Sequence, residues 1–216
     1  PQAVFVIGGL DGDVTALGAW FRAVIPRDVP ALLVPADTED VGAFRALARG
    51  LAETHPGVVD ATQVRLYASE SVEVVIVPGV TGDALVRREG APCVLAEDDL
   101  AAFTALPPAQ TTRVVVSALA PRQEGRDAID RGAFGVHVGS EALARLAVQL
   151  APRATVALIP RESAGGIATA SDGRVTLSVG TGGRVPFETA GGALVGPRAW
   201  ALRVGGERIR VEAIEP

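Results

Sequence analysis

The opening of the chain alternates in a way that leaves few folds available. Val4 to Ile7 is an uninterrupted apolar run of strand length, and residues 15–24 carry apolar side chains at 16, 17, 20, 21 and 24, the spacing of one helix face. A second apolar run, "ALLV" at 31–34, enters the loop "PADTED", and a helix is expected from about 41 to 54. Strand, helix, strand, helix predicts parallel pairing in a layered α/β sheet, because a parallel neighbour is reached only through a long crossover.

The middle of the chain changes character. "QVRLYA" and "VEVVIV" lie close enough to pair antiparallel, and "PCVLA" leads into a short helix near 98–105. "RVVVSAL" at 113–119 reads as a buried strand, followed by a charged, Gly-rich loop, a helix over about 139–150 and the strand "ATVALI" at 154–159. From 165 onward the chain is Gly-rich β, ending in "RAWALRV" and "ERIRVEAI"; the last alternates apolar with Arg and Glu, as a half-solvated strand does. With 216 residues, 48% hydrophobic and 21% charged, residues 1–216 are expected to form a single domain with one full core.

Charge narrows the partners. A formal net charge of -5 without basic clusters argues against nucleic acid and acidic membrane surfaces, both of which need a concentrated positive face. No apolar run approaches the roughly 20 residues that span a bilayer, so no membrane insertion is expected. The N-terminus lacks a signal-peptide pattern, and a cytoplasmic location is expected. The start at Pro1 without any methionine suggests an end from which the initiator was removed. The single cysteine, Cys93 in "APCVLAEDD", rules out a disulfide framework within one chain and reads as a small buried hydrophobe.

Absent residue types exclude whole classes of chemistry. The chain contains no Lys and no Asn, and its 20 basic residues are all Arg. Its two histidines are His55 and His137. No catalytic lysine, no asparagine ligand and no three-histidine site can exist in one chain.

Several local strings, in this order of elements, resemble the calcineurin-like metallophosphoesterase family over nearly the whole chain. That family opens with strand, Gly-Asp-x-His-Gly, helix; here the string is Gly8-Gly9-Leu10-Asp11-Gly12. Its second motif, Gly-Asp-x-x-Asp after a strand, is matched by Ala36-Asp37-Thr38-Glu39-Asp40, and its third, Gly-Asn-x-Asp or -Glu, is shadowed by Pro56-Gly57-Val58-Val59-Asp60. "VVVSALAP" is similar to the segment where the family writes a strand, a His and a Pro-containing loop, with Ala118 at the His. The stretch 137–163 resembles the bacterial and archaeal branch in which His-x-Gly-Ser opens a helix, a strand follows, and the chain then reads Gly-His-x-His-Glu-Ser. Aligning on Glu162-Ser163 puts Ile159 and Arg161 at the two histidines, and Ser178-Val179-Gly180 at the final Asn-Pro-Gly loop.

The resemblance implies a four-layer α/β/β/α sandwich, two mixed sheets face to face, with a dimetal site on loops at the strand ends. In the family, carboxylates, an Asn and several His hold two divalent ions that make a nucleophilic hydroxide and clamp phosphoryl oxygens. On this alignment the ligand positions read Gly9, Asp11, Asp37, Val58, Ala118, Ile159 and Arg161, of which only Asp37 keeps the ligand type. The centre is expected to be lost, and Arg161 would bring a guanidinium beside Asp37 and Asp11 as an ion pair in place of the cation.

Other readings of the same residues are weaker. Asp11-Gly12-Asp13-Val14-Thr15 fits the Asp-x-Asp-x-Thr pattern of haloacid-dehalogenase-like phosphatases, but that chemistry puts its nucleophile directly at the strand end and normally uses a Lys. Gly8, Gly9 and Gly12 before a helix suggest a dinucleotide turn, yet the order is not G-x-G-x-x-G and Asp13 would repel the pyrophosphate. Asp11, Asp13, Asp37 and Asp40 offer oxygen ligands for one hard ion such as Mg²⁺ or Ca²⁺, against which stands their use as helix caps and turn residues. His55 and His137 read as ordinary loop residues, Ser117 and Ser163 lack a base, and Trp20 and Trp200 read as core or interface anchors.

The functional expectation is a catalytically inactive metallophosphoesterase-like protein, without cofactor, binding another protein or itself in an assembly. Related folds without chemistry serve as subunits of vesicle-coat and DNA-polymerase complexes, and the positive mean hydropathy suits an interface. The alternative is a metal-dependent phosphoesterase of phosphate mono- or diesters with a site rebuilt from Asp11, Asp37 and Asp40.

Overall fold

The computed structural model describes residues 3–8, 14–36, 39–82, 93–124, 128, 130, 136–152 and 154–158, and beyond these the segments 166–169, 175–179, 187–188, 194–195, 199–205 and 208–214. The opening alternation is realised as β1 (Val4–Ile7), α1 (Val14–Val24), β2 (Ala31–Val34), α2 (Val41–Thr54) and β3 (Val58–Asp60). The three strands form a parallel sheet in the order β1-β2-β3, with Val4 opposite Ala31 and Ala31 opposite Val58.

A second, mixed sheet of six strands follows. Its members are β4 (Leu66–Ala68), β5 (Val72–Val77), β8 (Thr112–Ser117), β9 (Ala154–Leu158), β10 (Gly166–Thr169) and β11 (Val175–Val179), in the order β10-β11-β9-β8-β5-β4. The β4–β5 pair is antiparallel, as its short connection requires; β5–β8 and β8–β9 are parallel, with Val72 opposite Thr112 and Val114 opposite Ala154. Short pairs β6 (Val80–Thr81) with β7 (Val94–Leu95) and β12 (Phe187–Glu188) with β13 (Leu194–Val195), and the hairpin β14 (Ala199–Gly205) with β15 (Arg208–Ile214), complete the described strands. Helices α3 (Glu97–Thr104) and α4 (Glu141–Leu150) follow β7 and precede β9. The chain is thus α/β with mixed sheets.

Three apolar clusters hold these elements, and strand alternation assigns residues to them. In β2, Ala31 and Leu33 face α1 and α2, joining Phe21, Ile25, Phe44, Leu47 and Leu51. Leu32 and Val34 face the other way, onto Val74 and Ile76 of β5 and Val114 and Val116 of β8. The opposite face of the larger sheet presents Val75, Val77 and Val115 to Phe103 of α3 and Leu143, Leu146 and Leu150 of α4. Strands buried on both faces explain why β2, β5 and β8 read as continuous apolar runs. Each large side chain so enclosed contributes about 1.5–3 kcal/mol by removal from water.

Two sequence expectations need correction. Helix α1 was expected to bury 16, 17, 20, 21 and 24, but its inward residues are Leu17, Gly18 and Phe21, with Ile25 just beyond it, while Trp20 and Val24 are 44% and 57% exposed. With Thr15 and Arg22 its only polar side chains, α1 is apolar nearly all round, so hydrophobicity could not locate the buried face. Ser178 and Val179, aligned with the family's Asn-Pro-Gly loop although "GRVTLSVG" reads as β, are the last two residues of β11, paired with Ala157 and Leu158.

Candidate functional site

The carboxyl ends of the parallel strands converge. Gly8, just past β1 at φ 60, donates its N–H to Val34 O at the end of β2, and Gly79, just past β5 at φ 69, donates to Pro35 O. Ala118, following β8, donates to Val77 O at 3.2 Å. Two turns thus take up the left-handed conformation that glycine alone adopts cheaply, and together they knit both sheets at this end.

Most of the described polar side chains here are buried. Buried Glu39 accepts the Ala36 N–H at 2.6 Å, and Asp40 caps α2, its Oδ1 accepting from Gly42 N and Ala43 N at 2.9 Å each. That is the capping role weighed for Asp40. Thr81 donates its hydroxyl to Ser140 Oγ at 2.6 Å, and Ser140 Oγ also accepts Leu143 N–H as the cap of α4. Asp130 is 0% exposed; its two oxygens lie 2.9 and 3.1 Å from His137 Nδ1, with the imidazole 21% exposed. Gly139 sits so tightly that a Cβ there would lie 2.7 Å from Asp130 Oδ2. His137, expected as an ordinary loop residue, is therefore one half of a dyad, held by an aspartate that sequence reasoning passed over. Charge alternation in "RDAIDRGAFGVH" gave no signal of which acid would be buried.

The expected site residues fare unequally. Gly9, Asp11, Asp37, Ile159 and Arg161 lie outside the described residues, as do Asp13 and Ser163. Ala118 is where it was expected, at the end of β8, and is buried. Val58 is not at the carboxyl end of its strand. It opens β3, opposite Ala31, with its side chain in the cluster under α1 and α2, and the residues at the carboxyl end of that strand are Ala61 and Thr62. The Pro-Gly that suggested a motif turn lies at the amino end of β3, because only three residues separate Gly57 from the end of this short strand.

His55 also differs from its expected place in a loop. It caps the C-terminus of α2, is 0% exposed, and neither ring nitrogen has a hydrogen-bond partner. Its ring centroid lies 5.9 Å from that of Phe21, at the amino end of the three-stranded sheet, opposite to where the glycine turns meet. Ser117, considered as a nucleophile, is buried and donates its hydroxyl to Leu119 O at 2.6 Å. Burial pushes the Cys93 thiol up in pKa, against the opposing pull of Arg65 and Arg45.

Among the described residues there is no group of three His, Cys, Asp or Glu side chains placed to hold a metal ion, and no helix long and apolar enough to cross a membrane. Of the expected ligand positions, two lie among the described residues: Ala118 has no ligand atom in its side chain, and Val58 stands at the amino end of β3.

No family model and no curated protein matches the chain. Two crystal structures share its fold. One, of TT1561 of Thermus thermophilus, gives a TM-score of 0.57 at 17% identity, covering 83% of this chain and 76% of that one. The other gives a TM-score of 0.57 at 16% identity over 77% of this chain, which spans 63% of that chain's length. At such identities the likeness is one of fold alone.

Proposed function

We propose that this chain is a degenerate relative of the calcineurin-like metallophosphoesterases that acts as a catalytically inactive binding or scaffold subunit. The three apolar clusters support the four-layer α/β/β/α arrangement that this reading requires, since they stack α1 and α2, the three-stranded sheet, the six-stranded sheet, and α3 with α4 in sequence. The observation that carries the loss of chemistry is the fate of the histidines. A dimetal site draws several imidazoles to the strand ends. Of the two in this chain, His55 lies buried at the amino end, which leaves His137, held through Nδ1 by Asp130, as the single imidazole available, fewer than such a site uses.

Metal content of the purified protein and turnover of phosphate mono- and diesters with Mn²⁺ test this directly. The expected result is no stoichiometric metal and no turnover that depends on Asp37. Stoichiometric metal together with activity lost in Asp37→Ala would establish the phosphoesterase alternative instead. Co-purification from the native host, read by mass spectrometry, is expected to return a defined partner or a homo-oligomer.

A further inference from the structure

An open groove of about 280 Å³ runs between α2 and the outer edge of the three-stranded sheet. One wall is a single helix stripe, Arg45, Ala48, Arg49 and Ala52, at positions i, i+3, i+4 and i+7. The other is β3 with its following turn: Val58, Asp60 and Gln63. Ala48 and Ala52 are small, so their side chains leave this space unfilled.

β3 is the edge strand of its sheet. Gly57 O accepts from Ala31 and Ala61 N–H donates to Leu33, so the odd-numbered residues of this segment turn their backbone groups toward β2. Alternation then directs those of Val58 and Asp60 outward. Two of these four outward groups are used locally, Val58 N–H by His55 O and Asp60 O by Gln63 N–H. Val58 C=O and Asp60 N–H have no partner among the described residues. An acceptor and a donor two residues apart are what one residue of an added parallel strand engages, with its N–H on the first and its C=O on the second.

Charge selects the occupant. Arg45 donates from Nε to Thr62 Oγ1 at 3.0 Å, and Asp60 Oδ1 accepts the Thr62 N–H, so at that end of the groove a base and an acid are both tied to Thr62. Arg49, one turn further along α2, is exposed and has no hydrogen-bonded or ion-paired partner among the described residues. We propose that the groove takes an extended acidic segment of a partner protein, added parallel to β3, with a carboxylate on Arg49. This deepens the scaffold reading by giving the partner a chemistry, but the binding itself rests on the groove and stands whether or not the chain turns over phosphoesters.

The probe is a fluorescein-labelled hexapeptide of alternating Glu and Val, titrated with the full chain and followed by anisotropy. Saturable binding is expected, weakened about tenfold by Arg49→Glu. It is also expected to be lost in Ala52→Trp, which fills the groove, and with a peptide methylated on alternate backbone nitrogens. Far-UV circular dichroism checks that both variants fold. No saturable binding at millimolar peptide overturns the proposal, as does binding indifferent to Arg49→Glu. Equal affinity for the N-methylated peptide, or complete displacement by inorganic phosphate at physiological salt, would reduce the groove to a simple anion contact. Metal and turnover measurements on the same preparation report separately on the loss of chemistry.

Discussion

The two ends of the three-stranded sheet are closed by opposite means. At the carboxyl end, glycine turns and buried polar side chains are hydrogen-bonded: Gly79 N–H to Pro35 O and Ala36 N–H to Glu39, and beyond them, side chain to side chain, Thr81 with Ser140 and His137 with Asp130. At the amino end, aromatic and aliphatic side chains close around one imidazole that bonds to nothing. In an α/β protein the carboxyl end is where ligands are bound, and polar side chains there normally point outward to meet them. Here Glu39, Thr81, Asp130 and Ser140 are buried in bonds within the fold, and Asp40 is exposed as the cap of α2.

The largest expected effect breaks the carboxyl end. In Gly79→Ala the new Cβ would lie 1.9 Å from Cys93 O, at a backbone φ of 69 that alanine disfavours. A loss of about 3 kcal/mol or more is expected in urea denaturation, since both strain and backbone displacement contribute. An unchanged midpoint would mean that the turn is not a fixed part of the closure. Next comes Asp130→Ala, which leaves the His137 Nδ1 without its buried partner; about 2–3 kcal/mol should be lost, and Asp130→Asn should recover part of it. If the two variants unfold alike at the wild-type midpoint, the dyad does not hold its loop.

The amino end should respond with the opposite sign. His55→Leu replaces an unsatisfied buried ring with an apolar side chain of similar size, and a gain of about 1 kcal/mol is expected. Loss of stability in that variant would show that the imidazole has a role which packing does not reveal. The smallest effect is kinetic. With burial holding its pKa up, the Cys93 thiol should react with iodoacetamide at neutral pH more slowly than a free thiol does. Since the folded value lies above the unfolded one, the thiol favours folding fully below the unfolded pKa of about 8.5, and that contribution is lost as pH rises through the folded value.

Much of the fold was legible because periodicity and burial agree. β2, β5 and β8 are buried on both faces and read as apolar runs; α2 places Phe44, Leu47, Ala48 and Leu51 at helical spacing behind an Asp cap. Where the two disagree, the sequence was silent or misleading. α1 is apolar on both sides, so its outward Trp20 looked like a core residue, and β3 is three residues long, too short to carry a period. The candidate site was less legible still. Asp130 is one acid among 25 acidic residues, and only the path of the loop that brings it against Gly139 distinguishes it from its neighbours. Val58 was aligned on a Pro-Gly alone, and that Pro-Gly precedes its strand.

The strand registers bear on how the chain reaches this state. From Val4 to Ala31 and from Ala31 to Val58 the parallel neighbours are 27 residues apart; from Val72 to Thr112 and from Val114 to Ala154 the interval is 40. The third parallel pair of the larger sheet, Val175 opposite Ala154, spans 21. The entropy of closing a loop grows only with the logarithm of its length, so the interval of 40 costs about 0.3 kcal/mol more than that of 27. Chain length therefore gives neither sheet a head start, and hydrogen-exchange pulse labelling during refolding should find amides of β2 and of β8 protected in the same kinetic phase.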